Sequence, residues 1–239
     1  MAGKLYLCAT PIGNLEDMSF RAVRSLLEAD LIAAEDTRNS IKLLNHFNIH
    51  TPMTSYHEYN KIEKGHYLVE QMLAGKSVTL ITDAGTPGIS DPGEELVRMC
   101  HEAGITVTPI PGPAACINAL IISGRSTRRF CFEAFLPQDK KERQAILEEL
   151  KVETRTIILY EAPHRLIQTL EVLQEALGDR KLTICRELTK IRREENASSF
   201  WKEEAGKKWR PRSSRTGWKC RWKSIWPTMK PAEWIGKRP

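Results

Sequence analysis

In the first half of the chain, two patterns of apolar and polar positions alternate. Short continuous apolar runs are typical of strands buried on both faces, and the longer runs that follow them repeat every three or four residues, as amphipathic helices do. The pattern predicts strands at residues 4–10, 31–34, 77–82 and 105–109. It predicts helices at residues 37–47, 60–74, 92–103 and 114–122, and a first helix that runs to Ala29 from an N-cap at Ser19.

The alternation continues beyond a polar break at residues 123–127. Strands are predicted at residues 130–135, 156–160 and 182–186, and helices at 139–150 and 163–176. Strands that alternate with helices favour a mostly parallel sheet covered by helices. We therefore predict an α/β protein with a first domain over residues 1–123 and a smaller, mixed α/β second domain over residues 124–200.

The last 39 residues differ in composition from the rest. They contain all six tryptophans, at positions 201, 209, 218, 222, 226 and 234. Lys and Arg exceed Asp and Glu by 12 to 3 in this tail, whereas residues 1–200 hold 24 basic and 27 acidic residues. Basic residues interleaved with aromatic residues can bind single-stranded nucleic acid. Four prolines and the lack of any periodicity favour instead a disordered extension or an altered reading frame over residues 201–239.

Several classes of protein do not fit the sequence. No apolar run is long enough to span a membrane, and the N-terminus reads as a strand and not as a signal peptide, so a cytoplasmic protein is expected. The six cysteines contain no CxxC pair, and the six histidines form no ligand cluster, so no metal site is predicted. Neither a GxGxxG nor a GxxxxGK[ST] motif occurs, which argues against dinucleotide and P-loop nucleotide binding.

Three loops rich in proline and glycine each follow a predicted strand. They cover residues 9–15, 82–93 and 109–115. Ligands of α/β sheets bind at the carboxyl ends of the strands, where these loops meet. Glycine lets the backbone approach a ligand, and proline holds a loop in one shape. Asp83 and Asp91 in the second loop suit a cationic or hydroxyl-rich ligand better than a phosphate.

The phrases ATPIGNLEDMSFRA, IAAEDTR, SYHE, DAGTPGISDPG, PIPGPAA, FLP, YEAPHR and CRELTK occur in this order between residue 9 and residue 190. Together they resemble the ribosomal RNA small-subunit methyltransferase I family, within the tetrapyrrole methylase superfamily. EDTR and YEAPHR favour this RNA branch over the porphyrin branch. Ala114 stands where the family commonly has serine.

The resemblance implies a two-domain tetrapyrrole-methylase-like fold that binds S-adenosylmethionine between the domains. It also implies 2′-O-methylation of a cytidine ribose in 16S ribosomal RNA of the small ribosomal subunit, and a homodimer. The implied cofactor residues are Pro11, Gly13, Asn14, Asp83, Ala84, Gly85, Thr86, Pro87, Ser90, Asp91, Pro111, Gly112 and Pro113.

Catalytic and RNA-binding candidates come from the polar motifs. Glu35, Asp36, Arg38 and His57 are the catalytic candidates, because a ribose hydroxyl is a poor nucleophile that a nearby base would assist. An ion pair between Arg38 and a carboxylate that shapes the loop is an equal alternative, and His57 is more often structural in such a place. The RNA-binding candidates are Arg38, Lys140, Lys141, Arg165, Arg186 and Lys190.

Two other functions are compatible with these motifs. Methylation of a tetrapyrrole carbon predicts binding of a porphyrinoid without any dependence on ribosomal subunits. An inactive RNA-binding remnant, suggested by the unusual tail, predicts that RNA is retained without methyl incorporation.

Overall fold

The computed structural model of the chain describes residues 2–190 and 201–202. The remainder of the predicted tail, residues 203–239, and the predicted end of the second domain lie outside these residues. No helix within the described part is long and apolar enough to cross a membrane.

A five-stranded parallel sheet forms the first part of the molecule. Its strands are β1 (Lys4–Cys8), β2 (Leu31–Ala34), β3 (Met53–Ser55), β4 (Val78–Ile81) and β5 (Thr106–Ile110). They lie in the order β3-β2-β4-β1-β5, and every pair is parallel. The predicted α/β class and parallel sheet are therefore confirmed. Strand β3 was not predicted, because a three-residue run is too short to show a period.

Helices cover both faces of this sheet. These helices are α1 (Phe20–Glu28), α2 (Thr37–His46), α3 (Lys61–Leu73) and α4 (Glu94–Glu102), and a further helix, α5 (Ala115–Ile122), follows β5. Leu68 of α3 and Leu96 of α4 pack on Leu5 and Leu80 on one face. Leu26 of α1 and Leu44 of α2 pack with other sheet residues on the opposite face. Burial on both faces explains why the strands read as continuous apolar runs.

Helix α4 begins later than predicted. The sequence favoured Pro92 as its first residue, but the N-cap is Gly93 and the helix begins at Glu94. A Cβ atom on Gly93 would lie 2.9 Å from the backbone nitrogen of Gly88. The preceding loop therefore folds back against the start of the helix, which leaves Pro92 in the loop. The N-cap predicted for α1 is confirmed, because Ser19 accepts a hydrogen bond from the backbone N–H of Ala22 at 3.1 Å.

A second, smaller group of elements follows α5. It comprises β6 (Phe130–Phe135), α6 (Lys140–Lys151), β7 (Thr156–Tyr160), α7 (Leu166–Leu177), β8 (Thr183–Ile184) and β9 (Trp201–Lys202). Strands β6 and β7 pair in parallel, and β8 pairs antiparallel with β9. Cys116 and Leu120 of α5 share a small apolar core with Ile158 of β7. The last predicted strand, 182–186, is thus reduced to two residues, and the domain boundary after residue 123 stays a prediction.

Candidate functional site

The carboxyl ends of the five parallel strands carry five consecutive loops at one edge of the sheet. In the order of the strands, these loops begin after Cys8, Ala34, Ser55, Ile81 and Ile110. All three proline- and glycine-rich loops lie at this edge, together with the EDTR and SYHE motifs. The parallel topology therefore gathers the predicted site residues of the first domain.

Two backbone hydrogen bonds join the first loop to the loop after β4. The N–H of Thr10 donates to the carbonyl of Gly85 at 2.8 Å, and the N–H of Gly85 donates to the carbonyl of Thr10 at 3.1 Å. The hydroxyl of Thr10, which is almost fully buried, donates to the carbonyl of Thr82 at 3.1 Å. Gly85 has a φ of +96°, which L side chains rarely adopt. We call this pair of bonds the Thr10–Gly85 bridge.

The third loop is attached to the other two. The hydroxyl of Thr86 donates to the carbonyl of Pro113 at 2.9 Å. A Cβ atom on Gly112 would lie 2.8 Å from the Cβ of Ala9, so only glycine allows these two loops to approach so closely. The three loops thus form one continuous surface of backbone groups, which we call the cradle. A methyl group added at Gly112 would clash within it. Such a cradle fits a nucleoside-type ligand that is bound through backbone groups.

Asn14 has a local role in this arrangement. Its side chain is buried and accepts a hydrogen bond from the N–H of Glu16 at 3.0 Å, which caps the short 3₁₀ helix Leu15–Asp17. The geometry therefore assigns Asn14 to the shape of the first loop. Pro11 and Gly13 lie in the same loop, and Gly13 faces Lys190, whose Cγ would lie 2.9 Å from an added Cβ.

Three carboxylates lie close together at the centre of the edge. Oε2 of Glu35 accepts a hydrogen bond from the N–H of Asp83 at 3.3 Å, and the amide of Asn39 donates to Oδ2 of Asp83 at 3.0 Å. Burial, together with the negative charges of Glu35 and Asp83, raises the pKa of Asp91 to about 6. A cation placed among these groups would relieve their mutual repulsion.

Asp36 and Arg38 form an ion pair with each other. The guanidinium of Arg38 donates to both carboxylate oxygens of Asp36, at 3.1 and 2.8 Å, and its backbone N–H donates at 2.9 Å. These side-chain and backbone hydrogen bonds lower the pKa of Asp36 to about 2. A carboxylate of such low pKa is a weak base, so the geometry favours the loop-shaping alternative for Asp36. The side chain of Arg38 is 87% exposed and remains accessible to a ligand.

The remaining predicted RNA-binding residues are spread over the second group of elements. Lys140 and Lys141 are exposed in the first turn of α6, and Arg186 and Lys190 are exposed near the end of the described chain. Lys190 pairs with Glu187 at 2.8 Å. Arg165 is mostly buried and pairs with Glu161 at 2.9 Å. Lys190 lies beside Gly13 of the first loop, and a shared RNA-binding patch of these residues stays a prediction.

The negative charge of Glu161 is balanced by an ion pair with Arg165, and both of its carboxylate oxygens accept hydrogen bonds. Burial alone would raise its pKa, but hydrogen bonds from the hydroxyl of Thr169, the N–H of Ala162 and the guanidinium of Arg165 outweigh burial and lower the pKa. The pair with Arg165 therefore shapes the YEAPHR loop, and Arg165 has less freedom to bind a phosphate than the sequence suggested.

Tyr160, at the end of β7, is a site residue that the sequence analysis missed. Its hydroxyl oxygen accepts a hydrogen bond at 3.0 Å from the N–H of Cys116, in the first turn of α5 and directly after the third loop. Its ring packs on Phe132 and Phe135, at 5.0 and 5.6 Å between ring centroids. Burial raises its pKa to about 12, and Asp91 is among the charges that raise it. Tyr160 therefore joins the second sheet to the cradle.

We expect the Tyr160→Phe variant to lower the free energy of unfolding by about 0.5–1.5 kcal/mol, since one hydrogen bond is lost and the aromatic packing is kept. Chemical denaturation measures this change. Tyr59→Phe is the matched control, because Tyr59 is 97% exposed and its hydroxyl makes no buried hydrogen bond with the described residues. Equal destabilisation by the two variants would show that the Cys116–Tyr160 bond contributes nothing.

A family model of the tetrapyrrole (corrin/porphyrin) methylases matches residues 4–195. The chain belongs to the tetrapyrrole methylase family. The match covers the five loops, the five-stranded sheet and the pair of strands β6 and β7. The cradle is therefore part of the region that matches this family.

Among curated tetrapyrrole methylases, the chain is similar to ribosomal RNA small subunit methyltransferase I of Synechocystis, at 56% identity over 84% of this chain and 70% of that protein. It is also similar to the protein of the same name from Halalkalibacterium halodurans, at 55% identity over 79% of this chain and 65% of that protein. The chain thus spans about two thirds of the length of these relatives. The resemblance stated from the motifs is confirmed.

The fold is also shared with more distant tetrapyrrole methylases. Uroporphyrin-III C-methyl transferase from Thermus thermophilus, in a crystal structure with S-adenyl homocysteine, matches with a TM-score of 0.55 at 18% identity. The match covers 76% of this chain and 80% of that chain. It confirms the predicted tetrapyrrole-methylase-like fold.

Proposed function

We propose that this chain is an S-adenosylmethionine-dependent methyltransferase that methylates the ribose 2′-oxygen of a cytidine in 16S ribosomal RNA of the small ribosomal subunit. The observation that carries the proposal is the cradle of three loops, in a chain about half identical to ribosomal RNA small subunit methyltransferases I. Small ribosomal subunits are cytoplasmic, so the activity belongs in the cytoplasm. A homodimer is part of the proposal.

The donor is assigned to the cradle on chemical grounds. S-adenosylmethionine supplies a methyl group on a positively charged sulfur. Backbone groups of residues 83–87, with those of Pro11, Gly13, Pro111, Gly112 and Pro113, would hold its nucleoside and amino-acid parts. Ser90 and Asp91 would close the same loop over it. The carboxylates of Asp83 and Asp91 would face the positive charge, which suits the raised pKa of Asp91.

The chain's contribution to the chemistry is mainly alignment. Holding an acceptor oxygen in line with the transferred methyl group can lower the barrier by about 7–11 kcal/mol. The loops after β2 and β3 lie on one side of the loop after β4, so they form the acceptor side of the edge. Glu35 is the best placed base there, because its carboxylate contacts the Asp83 backbone, whereas Asp36 is held by Arg38. Arg38 would bind an RNA phosphate.

Methyl transfer to isolated ribosomal subunits tests the proposal. Wild-type chain is expected to transfer labelled methyl from S-adenosylmethionine to small subunits that lack the modification. Asp83→Ala is expected to lower the rate at least about tenfold, because a charged group beside the donor is removed. The control is Glu70→Ala, which removes an exposed carboxylate on α3.

Alkaline hydrolysis of the labelled RNA distinguishes the chemistry. Methylation of a 2′-oxygen blocks cleavage at that nucleotide, so the label is expected in an alkali-resistant dinucleotide that begins with cytidine. Label in a mononucleotide would contradict ribose methylation. Label in a porphyrinoid and none in RNA would favour a tetrapyrrole C-methyltransferase, and RNA binding without label would favour an inactive remnant.

A further inference from the structure

An aromatic side chain stands fully exposed at the acceptor side of the edge. Tyr59, in the turn after β3, is 97% exposed. An exposed phenol ring gains nothing from the hydrophobic effect, and its large apolar surface would be stabilised by contact with a partner. The residue belongs to the SYHEYN sequence that begins at Ser55 and lies just beyond the SYHE motif, and it has no part in the proposed roles of Glu35 and Arg38.

The turn that carries Tyr59 is fixed at both ends. Tyr56 is completely buried in the core beside Leu96, so it anchors the chain just before the turn. The side-chain oxygen of Asn60 accepts a hydrogen bond from the N–H of His57 at 2.8 Å, and the N–H of Asn60 donates to the carbonyl of His57 at 3.0 Å. The exposed position of Tyr59 is therefore set by the fold of the turn.

A second observation at the same turn points to a polar ligand. Nδ1 of His57 is buried and has no hydrogen-bond partner among the described residues. The imidazole ring lies against the ring of Tyr59, at 6.1 Å between ring centroids and an interplanar angle of 64°. A stacking surface and an unpaired nitrogen thus lie side by side. A nucleotide offers both groups that such a pair would bind, a flat base and hydrogen-bonding atoms at its edge or sugar.

The turn lies within reach of the methyl donor site. Strands β3 and β4 are separated only by β2, and neighbouring strands are about 4.8 Å apart, so the two strand ends lie roughly 10 Å from each other. A short stretch of RNA spans this distance. Two groups nearby suit a phosphate, because Arg38 is exposed at the start of α2 and Lys64 lies in the first turn of α3, whereas Lys61 pairs with Glu58.

We propose that Tyr59 stacks on an unpaired base of the RNA substrate next to the acceptor nucleotide, and that the imidazole of His57 turns on binding so that its Nδ1 hydrogen-bonds to the same nucleotide. This inference rests on the proposed function, since it names how the RNA is held at the same site. Stacking of this kind tolerates any base. Tyr59 therefore orients the strand, and sequence selection is left to other contacts.

Binding of a fluorescein-labelled oligocytidylate to the full chain tests the inference by fluorescence anisotropy. Tyr59→Ala is expected to weaken binding by about 5- to 150-fold, as loss of one stacked base does. Tyr59→Phe and Tyr59→Trp are expected to stay within about twofold of wild type, because both keep a ring. Tyr67→Ala is the matched control, since Tyr67 is 40% exposed on the adjoining helix and its ring is already covered by the ammonium of Lys64 at 5.1 Å.

Three results would overturn the inference. Wild-type affinity of Tyr59→Ala for the RNA, with methyl transfer by wild type intact, would remove the stacking role and leave the proposed function standing. A change of sedimentation mass in Tyr59→Ala with unchanged RNA binding would assign Tyr59 to a contact between copies of the chain. If wild type neither bound the RNA nor transferred methyl to small subunits, both proposals would fall.

Discussion

The Gly85→Ala variant is expected to bind S-adenosylmethionine at least about tenfold more weakly than wild type. The φ of +96° at this position costs an L residue about 1–2 kcal/mol, and relief of that strain would shift the loop after β4. Since Gly85 forms both bonds of the Thr10–Gly85 bridge, such a shift separates the first loop from the second. Isothermal titration calorimetry measures the loss of affinity.

Gly104→Ala is the control for this prediction. Gly104 also has a positive φ, +68°, and an added Cβ would meet nothing within 4 Å. It lies after α4, before the sheet strand β5 and at the opposite end from the cradle. Both variants are expected to lose stability in chemical denaturation, but only Gly85→Ala should lose affinity for the donor. A parallel loss of affinity in both would mean that general destabilisation, and not the bridge, controls binding.

The Asp91→Asn variant is expected to be more stable than wild type at pH 7 and equally stable at about pH 3. Below about pH 3 the carboxyl group is protonated in both the folded and the unfolded chain. As the pH rises, the unfolded chain loses its proton first, because the pKa of Asp91 in the fold is about 6. The contribution of Asp91 to the free energy of unfolding of wild type therefore falls between about pH 4 and 6 and then levels off. Thermal unfolding at several pH values measures the difference.

The ionisation of Asp91 should also make the affinity for the methyl donor depend on pH. A cation near Asp91 favours the carboxylate, so the affinity of wild type for S-adenosylmethionine is expected to rise severalfold from about pH 5 to pH 7. Asp91→Asn should show no such rise. Titration with S-adenosylhomocysteine, which lacks the sulfonium charge, should show a smaller rise in wild type. Equal pH dependence for both ligands would place the positive charge away from Asp91.

The sequence predicted the parallel sheet well, because the central strands β2 and β4 are almost completely buried and contain mainly apolar residues. Strand β3 was not predicted from the sequence. It is an edge strand of three residues whose pairing with β2 is set by tertiary structure. The start of α4 was misplaced for a related reason, since the contact of Gly93 with Gly88 is invisible in a linear pattern.

Loop composition predicted where the site lies, but it did not predict which side chains of the site are hydrogen-bonded to other residues of the chain. Prolines and glycines marked all three loops of the cradle. A pair between Arg38 and a carboxylate was predicted as an alternative to catalysis, and the structure shows that Asp36 is the partner. Tyr160 could not be assigned in this way, since its partner Cys116 is 44 residues away in the chain. Its place at the end of a strand, ahead of a polar motif, was the only signal.

The N-cap residue of helix α5 has no side chain that could cap the helix. Ala114 offers no side-chain acceptor, and the N–H of Cys116 is bonded instead by the phenol of Tyr160 from another sheet. The first turn of the helix should therefore open whenever β7 moves away from it. Amide hydrogen exchange at Cys116 would then report how often the first turn of α5 separates from β7, and we expect this exchange to slow when a bound ligand contacts both.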